Sequence, residues 1–292
     1  MNLMPQSAGP TQRQPAPRVV DIIELRKIAL ELRKIVVRLV GQTGQGYLQQ
    51  GLGAADLFTA LYFAEMRLDP SDPLWMDRDR FLLSTAHNTA IFHATLALRG
   101  FIPLQSLDSY CTDGSTLEIN ASERLGPMIE ATCGSLGQGL SVGIGMALAA
   151  RRQSRPSRIY VLLGDGEMQE GQVWEAAMSA SSLRLDNLCL VIDNNKMQVE
   201  GHTDSVMQME SISDKWKSFG FFVETINGHD LITILQSLDR ARNQVGKPSC
   251  IIANTIPGKG ASSIEGIFGH NMRLPKDLER TVLQELDAEY LT

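Results

Sequence analysis

Two short stretches carry residues able to do chemistry. Arg158–Gly171 reads RIYVLLGDGEMQEG, in which the apolar run Ile159–Leu163 ends in Gly164-Asp165-Gly166. The run has the composition of a buried strand. Its glycines let the backbone turn sharply and approach a ligand, with a carboxylate at the strand's carboxyl end. The helix that follows can offer its first amides to an anion. A second apolar run, Leu188–Ile192, ends in Asp193-Asn194-Asn195. Asp165 and Asn195 stand 30 positions apart, about the length of a strand–helix–strand unit. An acid and an amide are therefore expected side by side at one edge of a sheet. Mg²⁺ takes one or two such protein oxygens and fills its octahedron with phosphate oxygens and water. Either tripeptide alone is ordinary turn chemistry. Together, one crossover apart and each at the end of an apolar strand, they point to a site for Mg²⁺ and a phosphate.

Positioning such a pair requires alternating strands and helices. Short apolar runs at Phe81–Leu83, Ile159–Leu163, Leu188–Ile192, Phe221–Ile226 and Cys250–Ala253 read as strands. Helical patterns lie at His87–Arg99, Ser135–Arg152, Gln172–Leu183, Ile212–Phe219, Leu231–Asn243 and Pro275–Tyr290. Before them, apolar residues at helical spacing predict a helix over Val20–Val40. A Gly/Gln-rich loop is expected over Gly41–Gly53, and a second helix over Ala54–Met66. This alternation predicts an α/β fold built on a mostly parallel sheet flanked by helices. Residues 1–18, rich in Pro and Gln without an apolar core, read as a flexible tail rather than a signal peptide. Residues 19–292 read as one domain.

The bulk properties narrow the function classes. The 292 residues are 43% hydrophobic and 21% charged, with a formal net charge of −6. Such an acidic chain without a basic stripe is a poor nucleic-acid or membrane-surface binder, so neither partner is expected. The longest apolar stretch, Leu136–Ala150, is too short to span a bilayer and carries four glycines. Cys111, Cys133, Cys189 and Cys250 are far apart and form no C-x-x-C. They read as reduced thiols and suit a cytoplasmic location.

The GDG turn, crossover and Asn-Asn resemble the thiamine diphosphate signature, and the context resembles transketolases. Thr132–Leu140 (TCGSLGQGL) is similar to that family's TGSLGQGL segment. Arg78–His87 (RDRFLLSTAH) is similar to its RDRFVLSKGH, and Ala54-Ala55-Asp56 to its SAAD helix start. The similarity covers about residues 20–275 and matches the family's N-terminal, diphosphate-binding domain. It implies the thiamine-diphosphate-binding fold, with thiamine diphosphate and Mg²⁺ as cofactors. Asp165, Asn195 and the main-chain carbonyl of Met197 are then the metal ligands. Gly166 would donate its amide to the diphosphate, while Gly134, Leu136 and Val199 would lie along the cofactor. His87 and His270 match histidines that face the substrate, and Glu170 matches a glutamate at the dimer interface. Residue chemistry alone leaves other roles open. Leu136 and Val199 could be core residues, His87 a helix cap, and Glu170 a response to the helix dipole.

The resemblance also implies what the chain lacks. In transketolases the glutamate that acts on the aminopyrimidine, and arginines for the sugar phosphate, lie on a second, pyrimidine-binding domain. The expectation is a split enzyme whose second subunit carries the pyrimidine-binding and C-terminal domains, assembled as a heterotetramer. The implied reaction moves a two-carbon ketol unit from a ketose phosphate to an aldose. Two family histidines are replaced, by Tyr47 and Asn120, which implies a sugar phosphate other than the usual xylulose and ribose phosphates. Two further readings share the GDG and Asn-Asn pattern. One is the α subunit of a 2-oxo-acid decarboxylase or dehydrogenase, the other a non-catalytic thiamine-diphosphate-binding subunit.

Overall fold

Asp21 opens the first helix, its carboxylate accepting from the Ile23 amide at 2.8 Å. In the computed structural model, which describes residues 21–132, 134–267, 269 and 274–290, that helix is α1 (Ile22–Thr43). Leu25, Ala29, Leu32, Val36 and Val40 form its buried stripe, and Gly44 ends it in the left-handed conformation. Helix α2 (Leu48–Thr59) is buried on every side and runs into a π-helical turn, Ala60–Glu65. The loop expected over Gly41–Gly53 is thus reduced to 44–47. The α2 glycines are packing positions rather than breakers: a Cβ on Gly53 would lie 2.9 Å from the Ile256 carbonyl oxygen.

Strand β1 (Arg80–Leu83) leads through a 3₁₀ turn, Ala86–Asn88, into α3 (Thr89–Arg99). Then come α4 (Gln138–Arg152), β2 (Ile159–Gly164), α5 (Gly171–Ser182) and β3 (Leu188–Asn194). A two-residue hairpin, β4 (Met197–Gln198) and β5 (Gly201–His202), feeds the short α6 (Thr203–Val206). The chain finishes with α7 (Ile212–Ser218), β6 (Phe222–Asn227), α8 (Leu231–Arg242), β7 (Ser249–Asn254) and α9 (Lys276–Tyr290). All five apolar runs become strands of one parallel sheet, in the order β1-β2-β3-β7-β6.

Successive side chains of a strand face opposite sides, and each side is covered. Tyr160 and Leu162 join the core under α1, α2, α3 and α8, whereas Ile159, Val161 and Leu163 join the core under α4, α5 and α7. Burial on both faces explains why β2 and β3 read as continuous apolar runs, whereas β6 is partly exposed and admits Glu224 and Thr225. Helix α4 packs tightly against β2 and the residue after β1 through its glycines. A Cβ on Gly139 would stand 2.5 Å from Ser84 Cβ, and one on Gly143 2.6 Å from Val161 Cγ2.

One polar network crosses the first core. Arg33 donates to Asp56 at 2.6 Å and to the Leu52 carbonyl at 3.1 Å. His229 Nδ1 meets the same carboxylate at 3.1 Å while its Nε2 accepts from the Ile256 amide at 2.8 Å. Burial pushes the Asp56 carboxyl up, but Arg33 and His229 outweigh it and leave it below its ordinary range. The network ties α1 and α2 to the loops that follow β6 and β7. No helix among the described residues is long and apolar enough to cross a membrane. Cys111, Cys189 and Cys250 are free thiols. Cys133 and the expected tail, 1–18, lie outside the described residues.

Candidate functional site

The β2–β3 register pairs Gly164 with Asp193, so both chemistry-bearing tips end level. Asp165 follows at once and is buried. Its Oδ1 accepts from the Gly166 amide at 2.8 Å and its Oδ2 from the Lys196 amide at 2.6 Å. Asn195, also buried, accepts at Oδ1 from the Met197 amide (2.9 Å) and donates Nδ2 to Asp193 (3.2 Å). Lys196 adopts a left-handed φ of 61°, and that turn brings its amide to Asp165. The acid of one strand tip therefore meets the turn that carries the amide of the next.

The electrostatics are unbalanced. Burial, then the neighbouring Asp193 carboxylate, raises the Asp165 carboxyl to about 7. Burial also raises Asp193, against hydrogen bonds from Thr255, Asn88 and Asn195. Two buried acids at one strand edge, with no Lys or Arg side chain among the described residues hydrogen-bonded to either, favour an added cation. Among the described residues no cluster of three or more His, Cys, Asp or Glu could hold a metal. The oxygens that could serve are instead the Asp165 carboxylate and the Asn195 amide oxygen, with the main chain of Met197 following directly. That set fits Mg²⁺ arriving with phosphate oxygens and water. Gly166 sits tight against this cradle, since a Cβ there would come 3.1 Å from Gln198 Cβ.

The other expected residues surround this point. A Cβ on Gly164 would lie 3.3 Å from His87 Cε1, which places that imidazole over the GDG turn. His87 lies inside the 3₁₀ turn, and the N-cap positions of that turn and of α3 are Thr85 and Asn88. Tyr47 stands edge-on to it, ring centroids 6.1 Å apart. Gly134 has a φ of 135° and, with a Cβ, would stand 3.4 Å from Asn120 Nδ2. Leu136 is 39% and Val199 65% exposed, so neither is a core residue. Val199 lies on the hairpin just past Met197. Glu170 is exposed and precedes α5 without capping it through its side chain. His270 lies outside the described residues.

One residue that sequence reasoning misses holds these parts together. Glu167, buried, accepts from the Ser84 hydroxyl, from the Gly137 amide at 2.7 Å and from the Gly164 amide at 3.1 Å. It pins the Gly134–Gly137 loop to the tip of β2. Burial raises its carboxyl and the three donors oppose that rise. Its only signal in the sequence is an acid directly after the GDG turn, where Glu170 is the more conspicuous neighbour.

Residues 25–277 match the family model described as transketolase, thiamine diphosphate binding domain. The chain belongs to the transketolase family. It is 41% identical over 268 residues to the 6-deoxy-6-sulfo-D-fructose transketolase subunit SqwG of Clostridium sp. (strain MSTE9), covering 91% of this chain and 98% of that protein. It is 40% identical to one of the subunits of the apulose-4-phosphate transketolase from Phocaeicola vulgatus, covering 90% and 93%. The solved transketolase of Campylobacter jejuni superposes with a TM-score of 0.87 at 30% identity, over 92% of this chain and 43% of that one. The chain thus spans most of the subunit-sized relatives and less than half of the single-chain enzyme. Its fold is the family's thiamine-diphosphate-binding α/β fold, and it is a transketolase-like enzyme subunit. The matches do not favour a 2-oxo-acid dehydrogenase subunit or a non-catalytic binding subunit.

Proposed function

We propose that this chain is the diphosphate- and Mg²⁺-binding subunit of a split transketolase. It would transfer a two-carbon ketol unit from a ketose phosphate to an aldose together with a second subunit that carries the pyrimidine-binding and C-terminal domains. The reading rests above all on Asp165 accepting from the amide of Lys196, which joins the two strand tips into one cradle. Asp165, Asn195 and the Met197 carbonyl would hold Mg²⁺, and the Gly166 amide would face the diphosphate. Gly134, Leu136 and Val199 would border the cofactor. The exposed Leu136 and Val199 support this, because bare apolar side chains beside a polar cradle suit a ligand with an apolar middle. Thiamine diphosphate, when bound, supplies the carbon nucleophile and electron sink needed to break a bond next to a carbonyl.

The chain's own residues would bind, orient and move protons. His87, over Gly164, can exchange a proton with a substrate hydroxyl from its ring nitrogens. His270 is the second candidate for that role. Tyr47 against His87 and Asn120 against Gly134 reshape the same edge of the site. Together with relatives named for a sulfo-fructose and for apulose 4-phosphate, they support a sugar phosphate substrate outside the common pentose phosphates.

The test is reconstitution. The full chain mixed with its second subunit, Mg²⁺ and thiamine diphosphate should transfer ketol units, and neither chain alone should. Asp165→Asn should weaken Mg²⁺-dependent thiamine diphosphate binding on the order of 100-fold. Cofactor binding unchanged in that variant, measured by calorimetry, would remove the metal assignment.

A further inference from the structure

The opposite end of the sheet carries a feature that the transferase reading does not use. A cavity of about 550 Å³ opens at the amino ends of β2 and β3, walled by Arg67, Arg151, Arg155, Arg158 and Arg242. Asp186 is the one carboxylate in its lining. Strand β2 separates this cavity from Asp165 by about 20 Å at the usual rise per residue. Five guanidinium groups around one cavity stand out in a chain of net charge −6.

Each arginine has a local structural role. Arg67 pairs with Asp79 at 2.8 Å, Arg155 with Asp77 at 2.9 Å, and Arg242 with Glu65. Arg151 donates to the carbonyls of Leu183 and Arg184, just past the end of α5, and Arg158 to those of Ala241 and Arg242 at the end of α8. Cations at helix carboxyl ends are favoured by the dipole. These roles do not exhaust the donors, because a guanidinium carries five N–H groups. Arg151 and Arg158 have no carboxylate partner among the described residues. Toward those residues Arg151 uses only Nη1 and Arg155 leaves Nη2 unused.

We propose that this cavity binds a small polyanion, a phosphorylated metabolite with at least two negative charges, independently of the cofactor. Planar forks match phosphate oxygens two at a time, and several forks converging on one volume select for high charge density. The volume suits a metabolite-sized ligand. The lining holds no aromatic ring on which a nucleobase could stack, so a sugar bisphosphate or a pyrophosphate fits better than a nucleotide.

The experiment titrates inorganic pyrophosphate and a hexose bisphosphate separately into the full chain at physiological ionic strength, with calorimetric detection. At least one should bind saturably, and binding should persist in Asp165→Asn, which disables the proposed cofactor cradle. Which of the two binds more tightly identifies the ligand class. The double variant Arg151→Gln/Arg155→Gln, which changes half-exposed or exposed side chains, should weaken binding roughly tenfold or more while the chain still folds and melts cooperatively. Arg158→Gln provides a second check and should weaken it similarly. Three results would overturn the proposal: no saturable binding of either probe, loss of binding in Asp165→Asn, or unchanged binding in all the arginine variants.

Discussion

His93 illustrates how burial sets the behaviour of a single residue. It is fully enclosed beside the Tyr110 ring, and neither ring nitrogen has a hydrogen-bond partner among the described residues. Burial alone lowers its pKa to about 3. The folded chain then refuses a proton that the unfolded chain accepts below its ordinary value of 6.5. Stability must therefore fall as pH drops from about 6.5 towards 3, by up to about 1.4 kcal/mol per unit. Urea melts between those limits should show this loss, and His93→Leu should remove that component. Glu167 is the complementary case, a buried acid with three donors. Glu167→Gln should cost about 1–3 kcal/mol and loosen the Gly134–Gly137 loop, which hydrogen exchange at the Gly137 amide would report. Asp165 and Asn195 can be picked out in the sequence because each ends an apolar run. Glu167 cannot, since its value lies in partners 83 and 30 positions away.

At the scale of elements, α4 depends on which side of the helix a glycine occupies. Gly143 faces Val161, where a Cβ would sit at 2.6 Å, whereas Gly145 has nothing within 4 Å. Gly143→Ala should destabilise the chain by about 1–3 kcal/mol through overpacking. Gly145→Ala should stabilise the isolated chain by about 0.5–1 kcal/mol through backbone entropy. Paired thermal melts would separate the two, and equal effects would contradict the close approach. The same glycine-rich composition explains why the sequence suggests a loop where α2 stands. Glycines 51 and 53 look like breakers until α1 and the Ile256 carbonyl are known to lie against them. The five strands of the parallel sheet are legible in the sequence, most plainly β2 and β3, where burial on both faces leaves few polar positions, whereas the two-residue strands β4 and β5 leave no such run.

At the scale of the molecule, the two ends of one sheet differ in charge. The carboxyl end gathers buried acids, and the amino end gathers arginines. Thiamine diphosphate added with Mg²⁺ should stabilise the folded chain by about 2.7 kcal/mol at a hundred times its dissociation constant. Exchange protection should concentrate at the Asn195–Val206 segment and the Gly134–Gly137 loop, and leave the arginine cavity unchanged. Protection spread evenly over the sheet would argue against a cofactor site confined to the carboxyl end.

The sequence alone determined the parallel α/β architecture, the 30-residue spacing of Asp165 and Asn195, and the family, because strand apolarity and strand-end turns are local properties of the chain. Tertiary structure decided the rest. Only the β2–β3 register sets the two tips level, and only the fold brings Glu167 to Ser84 and gathers five arginines around one cavity. Contacts between residues distant in sequence leave no periodicity to read, since they depend on how separate elements pack.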